Sequence, residues 1–249
     1  MRAIVVIPAR WASTRFPGKA LHPLCGRPLL WWVVTGARRA RLPSQVLVAT
    51  DDERIRAAAE GWGVAVAMTS PQHPSGTDRV AEAVGGLGPD VVVNVQGDEP
   101  LVAPDLLDRL VSAVSVDGAD MATAAAPLDD PALVHLPSVV KVVAAADGRA
   151  LYFSRAPIPF DRDGVAAADP ARVYRRHIGV YAFRTDALRR FVAAPPCLLE
   201  RVEKLEQLRA LHLGLRIAVL DAGAESGVGV DTPEDVPRAE AALRAAGLA

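Results

Sequence analysis

Short apolar runs alternating with helix-patterned stretches set the narrowest limits on how this chain folds. Ala3-Ile4-Val5-Val6-Ile7 is the first run, residues 45–50 are the second and residues 64–68 the third. Asp90-Val91-Val92-Val93-Asn94-Val95-Gln96 is the strongest, and its continuity predicts a strand buried on both faces at the centre of a sheet. Helix patterns fall between the runs. They cover 28–41, a stretch capped by Asp51 or Asp52 with Ile55, Ala58 and Ala59 as its stripe, then 77–86 and 104–116. Such alternation over the first 120 residues builds βαβ units and a mostly parallel sheet.

The middle breaks that rhythm. Val139-Val140-Lys141-Val142-Val143 runs into Asp147-Gly148, a hairpin turn signal, and returns through Ala150-Leu151-Tyr152-Phe153. A proline-bearing loop over 155–172 and a strand over 177–183 follow. The segment 127–185 is therefore expected as a mixed-sheet insertion, a lid or dimerisation flap, within one domain spanning 1–249. The alanine-rich stretch 122–126 reads as compositional bias. The tail returns to a helix over 198–212, a strand over 215–220 and a terminal helix after Pro233.

Bulk properties exclude several classes. With 51% apolar and 23% charged residues the 249-residue chain reads as a soluble globular protein. A net charge of -1 argues against a nucleic-acid footprint, so any functional positive charge is local. Cys25 and Cys197 lie far apart, outside any metal-ligand spacing. No signal peptide or membrane-spanning run is apparent, and a cytoplasmic protein is expected.

The chemistry begins in the loop Pro8-Ala9-Arg10-Trp11-Ala12-Ser13-Thr14-Arg15-Phe16-Pro17-Gly18-Lys19. It places Arg10, Arg15 and Lys19 at the carboxyl end of a strand, where open α/β sheets bind ligands. Guanidinium forks and an ammonium suit a nucleotide triphosphate; a solvated basic loop is the alternative. Gln96-Gly97-Asp98-Glu99-Pro100 ends the central run with an acidic pair suited to Mg²⁺, which takes few carboxylates and adds phosphate oxygens and water. Asp231, in Gly227-Val228-Gly229-Val230-Asp231-Thr232-Pro233-Glu234-Asp235, is a second candidate, with an N-cap as its alternative. Two carboxylates meeting at one metal suit phosphoryl or nucleotidyl transfer.

Further constellations are weaker alone. Ser75-Gly76-Thr77-Asp78-Arg79 reads as a turn with Ser75 or Thr77 as helix cap, offering N–H groups and a cation to a base or an anion. Arg155 and Arg162 lie in a loop stiffened by Pro157 and Pro159 and suit a substrate carboxylate. His177 and Tyr181, four apart in a strand, share a face and suit substrate hydroxyls. Glu200, Glu203 and Gln207 share a helical face, ordinarily a solvated one. P-loop, GxGxxG, CxxC, HExxH and GxSxG patterns are missing, which removes the usual sequence support for the enzymes they mark.

Taken in order, these blocks resemble the sugar-nucleotide cytidylyltransferases, and within them the 3-deoxy-manno-octulosonate cytidylyltransferase (CMP-Kdo synthetase) family. Tyr152-Phe153-Ser154-Arg155, His177-Ile178-Gly179-Val180-Tyr181 and Leu205-Glu206-Gln207-Leu208-Arg209 join those above, so the resemblance covers nearly the whole chain. It implies a Rossmann-like nucleotidyltransferase α/β fold, a homodimer, Mg²⁺ and the reaction CTP + Kdo → CMP-Kdo + diphosphate. It also implies that Arg10, Ser13, Arg15 and Lys19 hold the CTP phosphates, and that Asp98 and Asp231 bind the metal. Ser75, Gly76, Thr77 and Arg79 then serve the nucleotide. Gln96, Arg162, His177, Tyr181, Glu206 and Gln207 line the sugar-acid pocket, with Arg155 nearby. The expected chemistry is in-line attack of the sugar 2-hydroxyl on the α-phosphate, with Lys19 and Arg15 stabilising the leaving diphosphate. Trp11, Phe16 and Ala20 stand where the family commonly has Tyr, Leu and Pro; none of the three removes a charged group. The alternatives are another ulosonic acid, such as an amino-Kdo or a sialic-acid-like sugar, and a non-catalytic nucleotide-binding regulator.

Overall fold

The computed structural model describes residues 1–13, 15–223 and 228–249. Its strands are β1 (Ala3–Pro8), a short pair β2 (Pro23–Leu24) and β3 (Arg27–Pro28), β4 (Pro43–Thr50), β5 (Ala65–Met68), β6 (Val91–Val95) and β7 (Met121–Pro127). They continue with β8 (Lys141–Ala144), β9 (Ala150–Ser154), β10 (Arg175–Arg184) and β11 (Ile217–Asp221). The helices are α1 (Leu29–Ala37), α2 (Glu53–Gly61), α3 (Gly76–Val84), α4 (Pro104–Ser115), α5 (Pro131–Val134) and α6 (Pro170–Val173). The last four are α7 (Thr185–Ala193), α8 (Leu198–Glu203), α9 (Gln207–His212) and α10 (Val236–Ala245).

Strands β11, β7, β10, β6, β1, β4 and β5 lie side by side in that order. The valine run β6 takes the middle place and is buried throughout, as its continuity requires. Parallel pairing joins β1 to β4 and β6, β4 to β5, and β11 to β7, while β10 runs antiparallel to both neighbours. The period of two within β1 accounts for the layering. Val5 and Ile7 pack with Leu30 of α1, Ile55 of α2 and Leu107 of α4. Ile4 and Val6 pack with Val80 of α3, Phe191 of α7 and Leu208 of α9. The sheet is thus covered on both faces.

Among the segments that differ from the sequence reading, three shape the sheet and the site. Residues 122–126 are not compositional bias but the heart of β7, fully buried between β11 and β10. Alanine has a weak strand preference, and packing decides here: Ala122, Ala124 and Ala126 face the core that α4 completes. The helix expected over 198–212 is two helices, because Lys204 adopts φ 54° and ends α8. Finally, the strand placed in the insertion is longer, Arg175–Arg184, and runs through the sheet between β6 and β7. The β8–β9 hairpin belongs to the same sheet but stands off that row, joined to β10 at Arg176 and Lys141, while β2 and β3 pair with each other apart from it.

Lys141 fastens the hairpin. It is fully buried, and its Nζ donates to the carbonyls of Leu136 (3.1 Å), Val139 (2.6 Å) and Arg155 (2.6 Å). Burial lowers the ammonium's pKa. Lys141→Met keeps the aliphatic stem and strips these carbonyls of their donor, at about 1–3 kcal/mol for a buried group left unsatisfied. The urea midpoint is expected to fall with an unchanged m-value; an unmoved midpoint would show the carbonyls finding other partners.

Among the described residues no helix is long and apolar enough to cross a membrane. Cys25 and Cys197 are free thiols, and the Cys197 sulfur accepts the Glu200 N–H at 3.4 Å at the start of α8.

Candidate active site

The site forms at one end of the parallel strands. β1 and β6 are neighbours, so the loop after Pro8 and the turn Gln96-Gly97-Asp98 emerge side by side. A Cβ on Gly97 would stand 2.8 Å from the Pro8 carbonyl oxygen, so only glycine lets the two turns touch. The Lys19 ammonium then crosses the gap. It donates to Asp98 Oδ2 at 2.6 Å, the Val230 carbonyl at 3.1 Å and Asp231 Oδ1 at 3.4 Å. Arg15 donates to the same Asp231 oxygen at 2.9 Å. Backbone reinforces the junction, since the Val230 N–H donates to the Asp98 carbonyl at 3.0 Å.

Carboxylates from positions 98 and 231 therefore converge on one cationic nitrogen. This donor set fits Mg²⁺, which binds through one or two carboxylates plus substrate phosphates. Among the described residues no group of three or more His, Cys, Asp or Glu could hold an ion by itself. Phosphate oxygens and water would complete the shell at these two carboxylates.

Two cavities meet beside this cluster. One of about 300 Å³ is lined by Arg10, Ser13, Lys19, Ser75 and Asp98. The other, about 700 Å³, is lined by Glu99, Arg176, His177, Tyr181 and Gln207. Arg15, Gly76, Gln96, Glu206 and Asp231 face both. The start of α3 forms the wall of the first: Ser75 caps the helix, its Oγ accepting the Asp78 N–H at 3.2 Å and donating to Asp78 Oδ2 at 2.7 Å. Thr77 is buried and faces the second cavity.

Most of the residues singled out in the sequence come together here, but several do other work. Arg79 borders the first cavity, yet its guanidinium is spent on Thr69 Oγ1 (2.5 Å) and Asp51 Oδ2 (3.1 Å). Arg155 borders the second and braces backbone, donating to the carbonyls of Glu203 (2.7 Å), Pro137 (2.8 Å) and Lys204 (3.3 Å). Arg162 lines neither cavity; its side chain is 87% exposed and lies 3.8 Å from Asp163. The expected arginine pair for a carboxylate is thus not assembled in this structure. Nor is the 200/203/207 face solvated. Glu200 pairs with Arg209, Glu203 accepts from the Ser154 hydroxyl at 2.6 Å, and Gln207 lies 3.5 Å from the Tyr181 hydroxyl. Thr14 of the first loop and Gly227 of the Asp231 block lie outside the described residues.

The structure adds residues the motifs did not mark. His73 joins the first cavity, held by Glu82; Arg238 joins the second. Glu99, the other half of the acidic pair, turns into the second cavity, where burial and the Asp98 charge push its carboxyl up to about 8. Burial also raises Glu206, against hydrogen bonds from Thr77 and Ser75. Tyr181 is pushed up by burial and by Glu206.

His177 packs 5.5 Å from the Tyr181 ring and meets Thr123 Oγ1 at 2.9 Å. The Thr123 hydroxyl donates to the Val180 carbonyl at 2.8 Å. Burial pushes the imidazole down to about 3, and it is neutral in the fold. The unfolded chain takes up that proton near pH 6.5, so stability falls as pH drops from 6.5 toward 3, at most about 1.4 kcal/mol per pH unit from this group. His177→Gln is expected to flatten that slope in denaturant titrations at pH 4.5 to 7; an unchanged slope would mean the ring protonates in the native state.

Comparison with known proteins gives the family and the fold. A sequence profile of the family described as cytidylyltransferase matches residues 4–217. The 3-deoxy-manno-octulosonate cytidylyltransferase of Bdellovibrio bacteriovorus is 50% identical over 100% of both chains. That of Anaeromyxobacter sp. is 53% identical over 98% of each. A solved structure of CMP:2-keto-3-deoxy-manno-octonic acid synthetase complexed with CTP superposes with a TM-score of 0.91, at 37% identity over 100% of both chains. A cytidylyltransferase structure from Leptospira borgpetersenii, 18% identical and covering 98% of this chain and 87% of its own, shares the fold with a TM-score of 0.63. With its two joined cavities and carboxylate pair, the chain belongs to the cytidylyltransferases, in the family of the 3-deoxy-manno-octulosonate enzymes.

Proposed function

We propose that this enzyme transfers the cytidylyl group of CTP to 3-deoxy-manno-octulosonate (Kdo), giving CMP-Kdo and diphosphate. The observation that carries the reading is the shared wall: Arg15, Gln96, Glu206 and Asp231 face both cavities beside the Asp98–Lys19–Asp231 cluster. The first cavity takes the nucleotide, with Arg10, Ser13, Arg15 and Lys19 on its phosphates. The second takes the sugar acid, against His177, Tyr181, Glu206 and Gln207. The sugar 2-hydroxyl attacks the α-phosphorus, the bond to the β-phosphate breaks, and Arg15 and Lys19 offset the charge on departing diphosphate. Mg²⁺, held by Asp98 and Asp231, would supply charge neutralisation at phosphorus and acidify the hydroxyl.

We propose a cytoplasmic location, which a CTP-consuming role supports, and a homodimer as the assembly. Leu151 on β9 and Leu198, Leu199 and Val202 on α8 expose apolar side chains, as does Phe160 in the loop beyond β9. Light scattering should give twice the monomer mass of 26.3 kDa.

Diphosphate release from purified protein with CTP, Mg²⁺ and Kdo tests the function, with sialic acid and other nucleoside triphosphates as parallel arms. Release confined to CTP plus Kdo supports it. Release with a different sugar acid moves the specificity and keeps the site, whereas silence from folded protein overturns the reading in favour of a nucleotide-binding regulator.

A further inference from the structure

We infer that Trp11, stacked beneath Arg54, is a positioning residue that holds the phosphate-binding loop in its working shape. The inference rests on the nucleotide reading of the first cavity. Trp11 does not line that cavity, but Arg10 and Ser13 beside it do. Its carbonyl accepts the N–H of Ser13 at 2.9 Å and that of Gly18 at 3.0 Å, so one oxygen closes the loop from both directions. Its indole covers Gly18, where an added Cβ would meet the ring at 3.0 Å and where φ is 73°. A side chain at 18 would thus face both a blocked space and a left-handed backbone. Lys19 follows directly, so the stacking fixes the departure point of the ammonium that spans Asp98 and Asp231.

The ring is held in turn by α2. The Arg54 guanidinium carbon stands 3.5 Å from the Trp11 ring centroid. Asp52 holds that guanidinium in a fork, from Nε to Oδ1 at 2.9 Å and from Nη2 to Oδ2 at 2.7 Å. The same carboxylate caps α2 by accepting the Arg54 N–H at 2.9 Å. A planar cation fixed at a helix start therefore presses on the indole, and the indole sets the loop. Cation–π attraction and the fork both favour this one arrangement. Preorganising a loop in its bound form improves affinity for what it binds without touching it.

The clamp acts on one substrate alone, which makes it testable. CTP binding to the full-length protein is measured by calorimetry without sugar acid, and KM is then measured for CTP and for Kdo. R54A is expected to weaken CTP about three- to fivefold, the size of an exposed cation–π contact. W11A is expected to weaken it about tenfold, and the W11A/R54A double variant no more than W11A alone, since both remove one coupled device. W11Y keeps an aromatic face and recovers most of the affinity. KM for the sugar acid stays within about twofold throughout. Should W11A fail to fold, R54A and W11Y carry the test, the Arg54 side chain being 56% exposed. Wild-type CTP affinity in R54A, no advantage of W11Y over W11A, or equal rises in both KM values would overturn the clamp. Wild-type protein that fails to bind CTP would remove the nucleotide reading, and the clamp with it.

Discussion

Asp98→Ala is expected to lower turnover by about a hundredfold or more, while its circular dichroism spectrum and unfolding midpoint are expected to stay close to those of the unaltered enzyme. The activity loss follows from the donor set. Asp98 and Asp231 are the carboxylates that meet at Lys19, and removing one would leave a single anchor for the cation proposed above to neutralise phosphate charge. Several kcal/mol of transition-state stabilisation depend on such an ion, and each 1.4 kcal/mol is tenfold in rate, so about a hundredfold is a conservative size. The fold survives because its tie at this position is made by backbone: the Asp98 carbonyl, not its side chain, accepts the Val230 N–H. Lys19 keeps the Val230 carbonyl and Asp231 as partners. Activity measured against Mg²⁺ concentration gives the sharper readout, with the half-saturating concentration rising in the variant. Turnover within about fivefold of wild type, at an unchanged Mg²⁺ requirement, would take Asp98 out of the metal role.

How much of this was legible from sequence depends on which physical signal each residue leaves. The valine run of β6 announces itself because burial on both faces needs an unbroken apolar stretch. A cap at Ser75 or Thr77 is legible for a similar reason, a local hydrogen bond with a local pattern, and the fold assigns it to Ser75. β7 left no such mark, since alanine satisfies a tight sheet–helix interface without any strand preference of its own. The break at Lys204 is equally silent, being a left-handed lysine where glycine would have given warning. Charges were the hardest to place. Arg79 and Arg155 look in sequence like ligand-binding cations, and they are instead consumed by Asp51, Thr69 and backbone carbonyls. Residue type says what a guanidinium can bind, whereas only the fold says what it has already bound.

The Glu200–Arg209 pair carries that point into stability, and Arg209→Met is the substitution expected to cost the most. Both side chains are buried, and the guanidinium grips the carboxylate at 2.5 Å and 2.8 Å. It also donates to the carbonyls of Ala194 at 3.2 Å and Phe191 at 3.4 Å, and lies 4.4 Å from the centroid of the Phe191 ring. Methionine fills much of the volume but strands a buried carboxylate together with those carbonyls. Breaking a buried pair from one side costs about 3–5 kcal/mol. In a chain of this size that is roughly a 10 °C fall in the thermal midpoint. The double variant Glu200→Met/Arg209→Met removes the stranded charge as well and is expected to recover a good part of the loss. Function should respond on one side only. Arg209 stands in the same short helix as Gln207, directly after Glu206, so the single variant loosens the wall of the second cavity and raises KM for the sugar acid more than for CTP. A midpoint within about 2 °C of wild type, or a double variant less stable than the single one, would mean that Glu200 reaches water or another donor when its partner is lost.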